Sequence, residues 1–269
     1  MRLILIIVSI CTLYFSCSDN KTPKEASTQD RDYLLQPISP ELSGVNFSNN
    51  ITEDAEHSII SYIYYYNGAG VAVGDINNDG LPDLYFVGNS TPNKLYLNLG
   101  DFKFEDITEQ AEVAGKASWQ TGVTMVDINQ DGWLDIYVSA VSNLLDFTGH
   151  NELYINNQDR TFTEASADYG LDIASYATQA YFFDYDKDGD LDVYIVNHSI
   201  HTTYSYGPAD TRNDRKPLVG DLLLKNNNGK FEDVSKIANI YGGANNYGLS
   251  ASLADYNNDG WTDIYVCND

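Results

Sequence analysis

The side chains that could do chemistry in this chain are its aspartates, and their spacing repeats. Asp75–Asp83 reads DINNDGLPD, and the pattern returns as DINQDGWLD at Asp127–Asp135, DYDKDGDLD at Asp184–Asp192 and DYNNDGWTD at Asp255–Asp263. Each copy places a carboxylate or an amide at positions one, three, five and nine, and glycine at position six. A hard dication takes six to eight oxygens at roughly 2.3–2.6 Å, which a short loop supplies from alternate side chains and one backbone carbonyl near position seven. Glycine at position six permits the sharp turn. The chemistry is calcium binding, and it commits the paired carboxylates that general acid–base work would need.

Four such loops need elements to hold them. An EF-hand would close with a bidentate Glu at position twelve between two helices, but position twelve here is Phe86, Val138, Ile195 or Val266. The flanks, Val-Ala-Val before the first loop and Leu-Tyr-Phe-Val, Ile-Tyr-Val, Val-Tyr-Ile-Val and Ile-Tyr-Val after the four, are β-branched and aromatic, as strands are. The unit is therefore strand, calcium loop, strand. A second motif follows the first three units: Asn93–Asn98 leads to Phe104-Glu105-Asp106-Ile107-Thr108, Asn151–Asn156 to Phe162-Thr163-Glu164, and Asp221–Asn226 to Phe231-Glu232-Asp233-Val234-Ser235. Each pair of runs is separated by Asn, Asp or Gly and reads as a hairpin.

One repeat thus has four strands, and successive loops start 52, 57 and 71 residues apart, near the period of propeller blades. The length variation sits in the connection from the second strand to the hairpin, which grows from 10 to 16 to 29 residues. In an up-and-down blade the calcium loops and hairpin tips share one end and the variable connections the other. The connection face is the expected recognition surface, since variable loops on a rigid scaffold carry binding. Its longest element, His198–Leu218, holds Tyr204, Tyr206, Arg212, Arg215 and Lys216, a mix typical of contact surfaces. Ile59–Tyr66 (IISYIYYY) reads as a further strand ahead of the first loop.

The composition agrees. The 269 residues are 43% hydrophobic, enough for a core, and the 21 tyrosines suit half-buried strands. The formal charge of −24 excludes a nucleic-acid partner, which would demand a basic footprint. Three cysteines, at positions 11, 17 and 267, make no disulfide framework. Residues 1–16 form a basic start and a short apolar run, a signal peptide whose last residue, Ser16, precedes Cys17. A small residue before Cys resembles a bacterial lipobox, which implies lipidation of Cys17. Residues 17–42 are polar and aperiodic, a flexible tether, and 43–269 form the repeat domain.

These loops and hairpins resemble the FG-GAP-like, or VCBS, repeats and the β-propeller of integrin α-chains. Tyr64–Asp75 is similar to the opening of the cartilage acidic protein, or ASPIC/UnbV, group. The resemblance implies an all-β fold, a β-propeller of four-stranded antiparallel blades, about three and a half of them here, as the amino-terminal part of a longer protein. It implies calcium ligands at Asp75, Asn77, Asp79 and Asp83; Asp127, Asn129, Asp131 and Asp135; Asp184, Asp186, Asp188 and Asp192; Asp255, Asn257, Asp259 and Asp263, with carbonyls from Leu81, Trp133, Asp190 and Trp261. Asp184–Asp192 has the most acidic ligand set, with Asp186 where the others have Asn, and is expected to bind calcium most tightly.

The function expected is a calcium-stabilised recognition or adhesion module for an extracellular protein or glycan, held at a bacterial outer membrane or cell surface by its lipid. The alternatives are a polysaccharide-active hydrolase or lyase, for which His198 and His201 offer the one H-x-x-H pair, and a structural spacer. With no nucleophile elbow and no phosphate cradle, a non-enzymatic role is expected.

Overall fold

The structure is a computed structural model that describes residues 35–202, 204–205 and 207–269. Ser39–Asp269 form one unit. The leader, Cys17, most of the tether and Tyr206 lie outside the described residues.

The strand–loop–strand units fold as their spacing dictates. Blade one is β1 (Val71–Gly74), β2 (Asp83–Phe86), β3 (Lys94–Asn98) and β4 (Phe104–Asp106); blade two is β5 (Gln120–Val126), β6 (Asp135–Ala140), β7 (Glu152–Asn156) and β8 (Phe162–Glu164). Blade three is β9 (Ala177–Phe183), β10 (Asp192–Asn197), β11 (Leu222–Asn226) and β12 (Phe231–Asp233), and β13 (Gly248–Ala254) pairs with β14 (Asp263–Asn268) in a fourth. Every neighbouring pair is antiparallel and in sequence order, giving three four-stranded sheets and one of two strands. The chain is thus all-β with propeller-like blades, three complete and a fourth of two strands.

First strands pack on first strands, β1 on β5, β5 on β9 and β9 on β13. Side chains also tie them: Thr124 Oγ1 donates to the Ala180 carbonyl at 2.7 Å and Gln179 Nε2 to the Val123 carbonyl at 3.0 Å. The approach is so close that a Cβ on Gly122 would stand 2.4 Å from the Thr178 carbonyl oxygen. Apolar residues of adjacent blades meet in one core between blades one and two, around Tyr85, Leu95, Ile136 and Tyr154, and in another between blades two and three, around Tyr137, Leu153, Val193 and Leu224. The middle strands β6 and β10 are buried along their whole length, as strands covered on both faces are.

Two elements differ from the sequence reading. Ile59–Tyr66 is a series of turns rather than a strand, with the Tyr62 N–H bonded to the Ser58 carbonyl at 2.9 Å and the Tyr65 N–H to the Tyr62 carbonyl at 3.0 Å. Three of its four tyrosines point inward: Tyr62, Tyr64 and Tyr65 are buried, while Tyr66 and Ile60 are exposed, Ile60 at 93%. The reason is tertiary. Trp119, the residue before β5, stacks between Tyr65 at 4.8 Å and Phe147 at 4.5 Å, and this aromatic layer decides which side chains turn in, over the strand propensity of the segment. Second, short helices α1 (Pro40–Ser43), α2 (Thr108–Ala111) and α3 (Ser166–Tyr169) appear. The latter two follow the fourth strands, where Asp106 accepts the N–H and hydroxyl of Thr108 at 3.0 and 2.5 Å and Glu164 accepts those of Ser166. Such side-chain bonds initiate a helical turn.

Candidate metal loops

The four loops share one backbone. In each, position four is left-handed (Asn78, Gln130, Lys187 and Asn258, φ 57 to 63°) and so is the glycine at position six (φ 86 to 97°). The glycine N–H donates to Oδ2 of the position-one aspartate at 2.7, 2.9, 3.0 and 2.8 Å in loops one to four. The N–H of position seven, on Leu81, Trp133, Asp190 and Trp261, donates to Oδ1 of the position-five aspartate at 2.8, 2.9, 3.0 and 2.8 Å. The side chains at positions one, three and five are thereby drawn to the inside of one tight turn.

Position nine has a different setting. Asp83, Asp135 and Asp192 are fully buried. One oxygen of each accepts the N–H of position two, at 2.9, 3.1 and 2.9 Å. The other accepts the N–H of the asparagine ending the third strand, Asn98, Asn156 or Asn226, at 2.7, 2.8 and 2.8 Å. Position nine therefore fastens the loop to its hairpin. Burial pushes these carboxyls up against the lowering effect of the donated bonds, Asp135 to about 6. A dication beside them acts in the opposite sense. Asp263 keeps the first of these bonds, from Tyr256 at 2.9 Å.

The third-strand asparagines do more than donate an N–H. Asn98, Asn156 and Asn226 each give Nδ2 to the carbonyl at position eight, Pro82, Leu134 or Leu191, at 2.7, 3.0 and 3.1 Å. Each also accepts a hairpin N–H on Oδ1, from Gly100, Gln158 or Gly229 at 2.9, 2.8 and 2.7 Å. The sequence reading marked these residues only as strand ends. Their recurrence at the same place in all three hairpins was the available signal.

The loops also touch one another. Asn78 Nδ2 donates to the Gly132 carbonyl of loop two at 3.1 Å, Gln130 Nε2 to the Gly189 carbonyl of loop three at 2.6 Å, and Lys187 Nζ lies 4.0 Å from the ring centroid of Trp261 in loop four. Position four of each of the first three loops leans on the next loop.

Loop three fits a hard cation. Carboxylate oxygens of Asp184, Asp186 and Asp188 lie within 4.8 Å of one another. Oδ1 of Asp184 and Oδ1 of Asp186 are buried and make no hydrogen bond, a costly arrangement unless a cation meets them. In the other loops the position-one Oδ1 accepts the position-five N–H, at 3.2, 3.0 and 3.1 Å.

The remaining sequence candidates are scattered. His198 is buried against Tyr62, Tyr64 and Tyr176, with Nε2 2.8 Å from the Tyr62 hydroxyl. His201 Nδ1 instead faces the Ser199 hydroxyl at 2.9 Å. The two histidines engage separate partners, so the H-x-x-H pair is not a joint metal site. In the long connection Tyr204 is 99% exposed and Arg212 is exposed. Arg215 is half-buried, its guanidinium bonded to the carbonyls of Ile240 and Asp221, and Lys216 is half-buried with its N–H on the Gly242 carbonyl at 2.8 Å. The Arg215 side chain and the Lys216 backbone thus tie the connection to residues 221–242.

Comparison with known proteins places this arrangement. The chain is 28% identical to cartilage acidic protein 1 of Xenopus tropicalis over 135 residues, 49% of this chain and 20% of that protein. It is 27% identical to the human protein of that name over the same length, and 26% identical to a T-cell immunomodulatory protein homolog of Plasmodium yoelii yoelii over 197 residues, 64% of this chain and 27% of that one. The chain thus spans about a fifth to a quarter of the curated relatives it matches. Among solved structures, the V. cholerae biofilm matrix protein Bap1 aligns with a TM-score of 0.37 at 15% identity, over 74% of this chain and 28% of that one. The model of the FG-GAP-like repeat, a repeat family rather than an enzyme class, matches residues 75–138, 141–195 and 205–266. Those three matches take in all four loops and well over half the sequence, and the chain belongs to the FG-GAP-like repeat family.

Proposed function

We propose that this chain is an exported, calcium-stabilised repeat module that recognises a protein or a glycan, tethered to the cell surface through a lipid on Cys17. The observation that carries the calcium reading is loop three, where three carboxylates converge and two of their oxygens are buried without a partner. Bound Ca2+ would neutralise the converging oxygens and fix each strand-to-strand turn. The residues holding it are those at positions one, three, five and nine with the position-seven carbonyl; the third-strand asparagines secure the loop to its hairpin.

The recognition surface is narrower than the whole connection face. Residues 49–66 lie over part of it: Asn49 and Asn89 exchange hydrogen bonds of 2.8 and 2.9 Å, and Tyr62 covers His198. What is left in the long connection is the exposed stretch around Tyr204 and Arg212, an aromatic and a guanidinium suited to a sugar face or an acidic protein patch.

Two measurements test the proposal. Calorimetric titration of the full chain should give calcium binding, and chelation should lower its melting temperature; a melting curve unmoved by excess EDTA would reject the calcium role. A glycan array and a surface-protein pull-down, run with the chain and with Tyr204→Ala/Arg212→Ala, should show a partner lost in the variant. Equal retention by both would remove this stretch as the contact.

A further inference from the structure

Loop three departs from its sisters at one position, and a residue from outside the loop answers the departure. In loops one, two and four, position three is asparagine. Its Nδ2 donates to Oδ2 of the position-five aspartate at 2.9, 3.1 and 3.0 Å, so a neutral amide lies among the carboxylates. In loop three that position is Asp186, and a carboxylate offers only acceptors. Lys225 of β11 reaches across instead. Its Nζ bonds Oδ2 of Asp186 and lies 3.1 Å from Oδ2 of Asp188.

The lysine is specific to this blade. Counting back one residue from the third-strand asparagine gives Leu97 in blade one and Ile155 in blade two. Among the three blades with a third strand, the ammonium arrives only where the amide has gone. It also takes only the Oδ2 atoms, leaving Oδ1 of Asp184 and Oδ1 of Asp186 as the bare, buried pair. The charge balances as well. Positions one, three, five and nine hold three carboxylates in loops one, two and four and four in loop three, and one ammonium restores the sum of the others.

We propose that Lys225 sets the affinity of the third loop: it is a built-in counter-cation that keeps Asp186 and Asp188 together without calcium and opposes calcium when it enters. Its second half rests on reading these loops as calcium sites. Counting aspartates alone makes loop three the tightest site; counting Lys225 makes it no tighter than its sisters. When calcium is withdrawn, the Lys225 ammonium remains as a positive partner of Asp186 and Asp188.

The test uses the full chain as wild type, Lys225→Met, Asp186→Asn and the double variant, each titrated with calcium and melted in EDTA. Removing a unit charge beside a dication in a water-like dielectric should strengthen binding by about tenfold. Lys225→Met should therefore show a site tighter than any in the wild type and a melting temperature in EDTA lower by a few degrees. The double variant, which rebuilds the asparagine type of loop, should recover the wild-type melting temperature in EDTA. Lys225→Met with unchanged melting in EDTA, or with weaker calcium binding, overturns the proposal. If the wild type takes up no calcium, the calcium reading fails separately, and the four EDTA melts still decide whether Lys225 and Asp186 act as a pair.

Discussion

The hydroxyl of Tyr62 lies 2.8 Å from Nε2 of His198, joining the segment before the first blade to the edge of the third. His198 Nδ1 faces Thr178 Oγ1 at 3.3 Å, and that hydroxyl donates to the Gly248 carbonyl at 3.0 Å. A neutral imidazole with its proton on Nδ1 satisfies the whole chain of bonds: Tyr62 donates to Nε2, and Nδ1–H donates to Thr178. Tyr62→Phe leaves a buried acceptor without a donor, which costs about 1–3 kcal/mol. The expected outcome is a melting temperature lower by several degrees with the blades' circular dichroism intact.

Two histidines set opposite limits on stability against pH. Burial pulls His198 down to about 3, so below the unfolded value near 6.5 the unfolded chain binds the extra proton. Stability is complete above pH 6.5 and falls by about 1.4 kcal/mol per unit as pH drops from there toward 3. His57 is the reverse case. Its hydrogen bonds to Asp146 (2.7 Å) and Asp54 (3.0 Å) raise it to about 8, so its contribution is complete below pH 6.5 and lost as pH rises through 8. Melting curves across pH should show His198→Gln flattening the acid limb relative to wild type and His57→Gln flattening the alkaline one.

Within one Asp-rich loop, positions five and nine should respond differently to the same change. Asp135 accepts two backbone N–H groups with its two oxygens, from Ile128 at 3.1 Å and Asn156 at 2.8 Å. Asp135→Asn turns an amide toward one of them and should destabilise the chain by about 2–4 kcal/mol whether or not calcium is present. Asp131 is exposed, and Asp131→Asn should lower calcium affinity while leaving the melting temperature in EDTA within about a degree of wild type. Paired melts with calcium and with EDTA separate the two.

Blade contact depends on glycine at position 122. A Cβ there would stand 1.9 Å from Gln179 Oε1 and 2.4 Å from the Thr178 carbonyl oxygen. The amide can swing away, but the carbonyl belongs to β9 itself. Gly122→Ala should part β5 from β9 at a cost of about 1–3 kcal/mol, read as a lower denaturant midpoint. Gly80→Ala, where no atom lies within 4 Å of the added Cβ, should act only through its left-handed φ of 86° and cost about 1 kcal/mol.

Strands, loops and hairpins were readable in the sequence because each was written several times, so that four weak local patterns confirmed one another. Ile59–Tyr66 had no second copy to correct it. Its run of isoleucines and tyrosines resembled a strand, yet its burial is set by Trp119 and Phe147, residues far away in the chain whose approach no local pattern records. Lys225 was hidden for a related reason: its place beside Asp186 follows from the register of β10 on β11, which pairs Val193 with Leu224. Arg215 looked like a contact residue by type, and its bonds to the Ile240 and Asp221 carbonyls depend on a chain path that residue type alone does not record.

The contacts from position four of each loop to the next loop have a mechanical consequence. Asn78, Gln130 and Lys187 link the four loops head to tail along one rim, with no such bond joining loops two blades apart among the described residues. A loop whose turn loosens disturbs the neighbours it grips or is gripped by, and the disturbance fades beyond them, as in a one-dimensional array of repeats. Gln130→Ala should therefore uncouple loops two and three while leaving loops one and two joined. The rim would answer a loosened loop by fraying link by link, not by coming apart at once.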